Sequence, residues 1–498
     1  MPGVGAARAG TGASASADAG SGRVVGAGGS ERGALAIVLH THMPYVEGFG
    51  TWPFGEEWLW EALVGSYLPL LDLLDRGAPL TLSLTPVLCD QLEAPSVEER
   101  FRAFVEEVRG HTHAEDAAGL RSGGHEQLAR ELERSWGDYT GALEALERRG
   151  GDVLAALAPY AQWTSAATHA VLPLLASDAG VALQVQSGVD SQGARFGAGW
   201  RGGFWLPECA HVPRVERQLE EAGVRATCVE LTSRLGLGAR EHLQPLVGDS
   251  GVVLAPVDRA TMSLAWSDAG YPADGAYRDY HHHTIHHHNV WSNDGGAYDH
   301  ELALARAREQ AADFVARTIA RLREHGAGLP GGGLAVFAID TELLGHWWYE
   351  GVAWLGAVVE ECSRQGLELQ RLDDALERRE PAQWRLGETA SSWGAAGDLS
   401  TWSGPAVAEM TFSTRAAELE LLAAGERAGE AAVRELLALQ SSDWAFMVQR
   451  EIAATYARER FDGHAAALAR ALAEGPGAST APVRNIARHA RRSTLLGI

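Results

Sequence analysis

Lysine is absent from this chain, and all 42 basic residues are arginine. That bias reflects codon usage in a GC-rich genome and carries little functional content. Cysteine is scarce: Cys89, Cys209, Cys228 and Cys362 form no CxxC pair, which excludes a zinc or redox framework and a disulfide scaffold. No run of 18 apolar residues occurs and mean hydropathy is -0.13, so no transmembrane helix is expected. The first residues lack the apolar core of a secretory signal. These absences together suit a reducing cytosol, and a cytoplasmic location is expected. Basic residues are outnumbered 42 to 65, giving a net charge of -23 and a pI near 5.3. An acidic surface repels phosphate backbones and anionic lipid, which argues against nucleic acid and membrane as partners and leaves neutral substrates open. No internal repeat, collagen pattern or coiled-coil heptad is found.

What is present is a large stock of core residues. The chain has 498 residues, 46% hydrophobic and 21% charged. Length alone suggests roughly 2–4 domains, or one long α/β barrel with an appendage. Tryptophan (16) exceeds phenylalanine (11). Indole rings stack on sugars in concave sites, though they also fill cores. Residues 1–33 are Gly, Ala and Ser with few large apolar residues, and are expected to form a disordered tail. Short apolar runs at 34–40, 79–87, 181–187, 203–208, 226–230, 252–257 and 333–340 read as strands. Helical spacing covers Trp58–Leu74, 96–109, 125–148, Pro213–Ala222 and His300–His325. Alternating strands and helices imply a mainly parallel sheet, and about seven strands point to a closed or partly closed barrel. The catalytic unit is expected over 34–404, with an insertion at about 212–300. From 405 to 475 the pattern is helical, over Ala416–Ala424, Ala431–Gln440, Trp444–Arg460 and His464–Glu474, with Ser413 or Thr414 placed to cap the first. The remainder, 476–498, carries Arg484, Arg488, Arg491 and Arg492 and reads as a solvated basic tail.

The polar residues of interest stand where strands end, the position from which α/β barrels present catalytic groups. These are His40-Thr41-His42, Glu208-Cys209-Ala210-His211, Asp340-Thr341-Glu342 and Gly345-His346-Trp347-Trp348-Tyr349. Any one strand-end acid often just caps a loop. Glu208 and Asp340 together suggest a pair. Two carboxyl groups held close have their pKa values pushed apart, so one stays an anion able to attack and the other keeps a proton to donate. Glycoside chemistry needs that arrangement.

Four stretches resemble the conserved regions of a known family. They are His40-Thr41-His42-Met43-Pro44-Tyr45, Phe204-Trp205-Leu206-Pro207-Glu208-Cys209-Ala210, Asp340-Thr341-Glu342-Leu343-Leu344-Gly345-His346-Trp347-Trp348 and Ser391-Ser392-Trp393-Gly394. In this order they are similar to glycoside hydrolase family 57, and within it to the 1,4-α-glucan branching enzymes. Gln440-Ser441-Ser442-Asp443-Trp444 also resembles that group's C-terminal region. The likeness spans about 34–475. It implies an α/β fold, an incomplete (β/α)7 barrel with an inserted helical or loop subdomain and a C-terminal α-helical domain. It further implies a retaining glucanotransferase of glycogen biosynthesis that cleaves α-1,4-glucan and re-attaches the chain through an α-1,6 link. By position, Glu208 would be the nucleophile and Asp340 the general acid/base. His40, His42, Trp205, Tyr271, Trp291, His346, Trp347, Trp393 and Trp402 would contact substrate, Tyr271 from a mobile loop within Trp266–Tyr280. No metal and no cofactor are implied. The expected partner is an α-glucan such as amylose or glycogen, and the expected state a monomer or homodimer.

Departures from the family pattern accompany the likeness. In Gln184–Phe196, the family's acid and His positions are occupied by Asp190, Ser191 and Gln192, and the aromatic residue after Glu-Cys-Ala is His211. Residues 281–288 hold six histidines, read as a polar insertion at the rim of the site in preference to a transition-metal site, for want of a partnering acidic or Cys cluster. The competing readings are an α-amylase or 4-α-glucanotransferase on the same carboxyl pair, a metal-dependent polysaccharide deacetylase using His40, His42 and an Asp, and a glucan-binding protein with a decayed site.

Overall fold

The computed structural model describes residues 33–49, 54–385, 387, 389–479 and 485–497. The expected tail over 1–33 lies almost wholly outside the described residues, as does Arg484.

Seven parallel strands form the body of the sheet: β1 Ala34–Thr41, β2 Thr81–Leu84, β3 Ala161–Ser165, β4 Gly203–Trp205, β5 Ala226–Val229, β6 Val253–Pro256 and β7 Leu334–Asp340. Their order across the sheet is β6-β5-β4-β3-β2-β1-β7. Two-residue strands extend it: Leu246–Val247 and Ala382–Gln383 beyond β6, and Glu368–Leu369 beside β1. The sheet curls without closing, an incomplete (β/α)7 barrel. β1 lies between β2 and β7 and is buried along its whole length. A strand covered on both faces needs an unbroken apolar sequence, and that is why ALAIVLH was legible.

The helices around it are α1 Gly110–Ser122 and α2 Glu126–Arg148, a hairpin between β2 and β3; α3 Asp178–Phe196; α4 His300–His325; and α5 Gly351–Gln365. α4 starts where expected because the Asp299 carboxylate accepts from Leu302 N. Glu56–Ala62, a π-turn Leu63–Tyr67 and Leu68–Asp75 run on as one rod. The C-terminal region is α6 Ala408–Ala424, α7 Glu430–Leu439, α8 Ser442–Gln449 and α9 Tyr456–Glu474. No helix among the described residues is long and apolar enough to cross a membrane.

Several local expectations are corrected. Residues 181–187 are not a strand but part of α3. Val181, Leu183 and Val185 alternate as a strand would, yet the buried positions 180, 181, 183, 184, 185, 187, 188, 191 and 192 recur at three- and four-residue spacing along the helix, and Ser177 caps the start by accepting from Gly180 N. The strand beside it is β3, whose AQWTS gave too short an apolar run to stand out. α3 rides so close to β3 that a Cβ at Gly188 would fall 2.0 Å from Ser165 O. Ser413 and Thr414 lie inside α6, where Thr414 donates back to Met410 O, so neither caps it. The single helix expected over Trp444–Arg460 breaks between α8 and α9, where Glu451, Ala453 and Ala454 take positive φ. The terminal segment is no solvated end: Ile486 and Leu495 are buried, and Arg488 and Arg491 pair with Glu93 and Asp190.

Candidate active site

The cleft is built at the C-terminal ends of β1, β4 and β7 and is roofed by the helical region. β4 ends at Trp205, and the chain turns through Pro207–Cys209 with Glu208 in the left-handed region at φ 62° and ψ 19°. That conformation is uncommon for a non-glycine residue and persists where the surroundings enforce it. Here they do. Trp393 N donates to Glu208 O (3.0 Å), Trp393 Nε1 to Glu208 Oε2 (2.9 Å) and Ser442 Oγ to Glu208 Oε1 (2.9 Å). Trp393 is itself placed by a backbone pairing of Ser391 with His211, whose ring bonds Glu216 at 2.8 Å. The family aromatic replaced by His211 is thus a buried anchor for the 391–393 segment.

A directed hydrogen-bond chain reaches the same carboxylate. Ser442 spends its one proton on Glu208, so His169 Nδ1 must donate to Ser442 Oγ (2.8 Å). Burial keeps His169 and His40 well below the ordinary imidazole pKa, so each carries one proton. His169 Nε2 therefore accepts from His40 Nε2 (2.9 Å), and His40 Nδ1 accepts from Ser83 Oγ (3.3 Å). The rings are stacked in a pile: His40 lies over Trp205 (4.7 Å, 14°), and His42 over His169 (4.0 Å, 18°).

Asp340 ends β7 and is the register neighbour of His40. Burial, then the charges of Glu342, Glu208 and Asp443, holds its carboxyl well above the usual range. No hydrogen-bond donor among the described residues reaches it. Glu208 is also pushed up by burial, to about 7, but its two hydrogen bonds pull the other way. Glu342 accepts from Tyr67 Oη (2.6 Å) and His42 N (3.1 Å), and burial leaves it at about 7. His42 Nε2 bonds the Asp443 carboxylate (3.0 and 3.2 Å); burial opposes the imidazole's proton, but Asp443 outweighs it and raises the pKa.

His42, His169 and Asp443 form the one group of possible metal-ligand atoms gathered within 4.8 Å among the described residues. His42 Nε2 and both His169 nitrogens are engaged by protein partners, which is the geometry of a hydrogen-bonded core. The six-histidine loop makes no such group. His286 bonds Asp116 (2.7 Å), His288 packs tilted against His113 (3.9 Å, 55°) and His282 stacks on Trp291 (3.8 Å).

The structure thus brings together Glu208, Asp340, His40, His42, Trp205 and Trp393. Trp205 is fully buried beneath His40 and supports the cleft floor, so it offers no face to a sugar. Trp402 is 2% exposed, packed with Val171 and Ala210, and forms no open wall. Tyr271 is tied to Asp313 (2.8 Å) near Trp354, and Trp291 packs with α1 and α2. His346 and Trp347 line a separate cavity.

Residues 162–385 match the profile of glycosyl hydrolase family 57, and 406–492 that of the 1,4-alpha-glucan branching enzyme C-terminal region. A 1,4-alpha-glucan branching enzyme of Thermococcus kodakarensis is 33% identical over 499 residues, spanning 86% of this chain and 72% of that one. The chain belongs to glycoside hydrolase family 57. A probable 1,4-alpha-glucan branching enzyme of Mycobacterium tuberculosis is 31% identical over 89% of this chain and 93% of its own. The crystal structure of a family 57 branching enzyme from Pyrococcus horikoshii superposes with a TM-score of 0.85 at 28% identity, over 93% of this chain and 97% of that one.

Sequence reading missed His169, Tyr67, Ser442 and Asp443 as parts of the family 57 site. His169 stands four residues beyond β3, and recognising that strand would have marked it as a strand-end residue. Ser442 and Asp443 lie in a motif that was noticed, but only contact with the barrel reveals what they touch. Glu342 was in view beside Asp340 without a role.

Proposed function

We infer that this protein is a 1,4-α-glucan branching enzyme working through a covalent intermediate. The observation that carries the reading is the unequal treatment of two buried carboxyls. Glu208 has two donors that favour its anion, whereas Asp340 has none among the described residues and faces three acidic neighbours. Glu208 is therefore suited to attack and Asp340 to hold a proton. In the first step, Glu208 attacks the anomeric carbon of an α-1,4 link while Asp340 protonates the departing oxygen. In the second, the 6-hydroxyl of another glucan displaces Glu208 and gives its proton to Asp340. Two inversions retain the anomeric configuration. The tandem match to the family and to the branching-enzyme C-terminal region favours transfer over an amylase or 4-α-glucanotransferase outcome.

Incubation with amylose, then debranching of the product, tests this. New short chains released by a debranching enzyme, with α-1,6 linkages by NMR, are expected. Reducing ends without branch points would overturn branching and point to hydrolysis.

A further inference from the structure

Trp393 donates to Glu208 twice, from its backbone and from its indole. The indole stays aimed at Oε2 only while its own backbone is held. The segment Trp393-Gly394-Ala395-Ala396-Gly397 carries little side chain beyond the indole with which to fix itself. Two residues upstream, Ser391 is paired with His211. At Trp393 itself, the carbonyl accepts from Arg259 Nη2 (3.3 Å).

Arg259 belongs to a different part of the sheet. It opens the short helix Arg259–Ala265 that follows β6. Its Nε faces Glu230 Oε2 at 2.9 Å in an ion pair. Glu230 is the residue after β5, its side chain is 3% exposed, and its other oxygen accepts from Thr232 N (2.6 Å). A guanidinium is a planar fork with its donors at fixed angles. The Glu230 carboxylate against Nε therefore sets where Nη2 points, and it points at the Trp393 carbonyl.

Charge does not account for the arrangement. The two charges cancel within the pair, and among the described residues no hydrogen bond or ion pair joins either one to Glu208. Stability is a weak reason too, because apolar groups of similar volume often replace a buried ion pair at no cost. What the pair supplies is direction.

We propose that Arg259, clamped by Glu230, is a positioning residue for Glu208: by holding the Trp393 carbonyl it keeps the indole N–H aimed at Oε2. The proposal rests on the reading of Glu208 as nucleophile above.

The test replaces the clamp as a unit, Arg259→Met together with Glu230→Gln, so that no buried charge is left alone. The readout is the acid limb of kcat/KM, from the initial fall in iodine-stained amylose at substrate well below KM. The position of that limb does not depend on how much of the protein is folded. Trp393→Phe deletes the indole N–H and should move the limb upward by about one to two pH units. The clamp substitutions should move it the same way by about half to one, with activity at pH 6 falling about three- to tenfold. Added to Trp393→Phe, they should move it no further, since the contact they serve is already gone. A limb that stays in place would overturn the proposal. So would an equal movement in the Trp393→Phe background, which would show Arg259 acting by another route, such as contact with the glucan. Glu208→Gln separates the two claims, because it should abolish activity. An unchanged rate there would overturn the nucleophile reading, whereas a lost rate there with an unmoved limb in the clamp variant overturns the positioning role alone.

Discussion

Ser442→Ala removes one oxygen and tests how Glu208, the proposed nucleophile, is kept ionised. Ser442 Oγ donates to Glu208 Oε1 at 2.9 Å, and Glu208 sits at about 7 with that bond in place. A hydrogen bond to a charged group contributes roughly 1.5–3 kcal/mol net. At about 1.4 kcal/mol per pKa unit, its loss should raise Glu208 by about one to two units. No ready substitute exists, because His169 Nδ1 is 3.8 Å from the same oxygen, beyond hydrogen-bond range. kcat/KM reports the free enzyme, and on the proposed mechanism its acid limb follows the ionised fraction of Glu208. The measurement is the initial fall in iodine-stained amylose at substrate well below KM, from pH 5.5 to 9.5. The limb should move upward by that amount, with activity at pH 6 falling about 10–100-fold and recovering in part at pH 8.5. A uniform loss at all pH values, or a limb that stays near 7, would refute the argument that Ser442 sets the charge of Glu208.

Three further outcomes are expected. Asp443→Asn should destabilise the fold by about 3 kcal/mol near pH 5.5, and less above pH 8. Asp443 is held low and His42 high, so the pair's contribution is complete between their unfolded values of about 4 and 6.5 and fades as pH rises through the raised His42 value. Thermal melts at both pH values check this, and an equal loss at both would contradict it. Gly188→Ala places a methyl 2.0 Å from Ser165 O and should cost about 1–3 kcal/mol in urea unfolding as α3 is forced off β3. Branching activity should survive exhaustive chelation, since His42 and His169 are bonded within the protein; a loss restored by a divalent metal would favour metal chemistry instead.

Burial decided what was legible in the sequence. β1 and β7 are covered on both faces and show as unbroken apolar runs, so their terminal residues His40 and Asp340 were found as strand ends. β3 is five residues with a half-exposed Gln162, and with it went His169. α3 was misread because a seven-residue window of VALQVQS fits both periods, and only the full nineteen residues separate them. The carboxyl pair was visible as chemistry, but what distinguishes its members was not. Trp393 and Ser442 are remote in sequence from Glu208, and no local pattern encodes a contact across 185 or 234 positions. The tryptophans were the least legible. Composition cannot tell a platform from a core residue, and Trp205 and Trp402 proved to be buried while Trp347 is open.

The barrel alone does not make a working pair. Its strands deliver Glu208 and Asp340 into a buried space, where both carboxyls rise for the same reason. Two neutral acids could not carry out the proposed displacement, which needs one anion. What separates them comes from outside the strands: Trp393 from the segment after the sheet, and Ser442 from the start of α8. The seating of α8 is in turn fixed by polar contacts at its base. Gln184 on α3 donates to Gln440 (2.9 Å), Gln440 donates to the Glu418 carboxylate (3.1 Å) and Ser442 N donates to His169 O (3.1 Å). These bonds are directional and buried, so they define one docked position where apolar packing alone would tolerate several. On the proposed mechanism, the helical region is the part of the site that gives the two carboxyls separate roles.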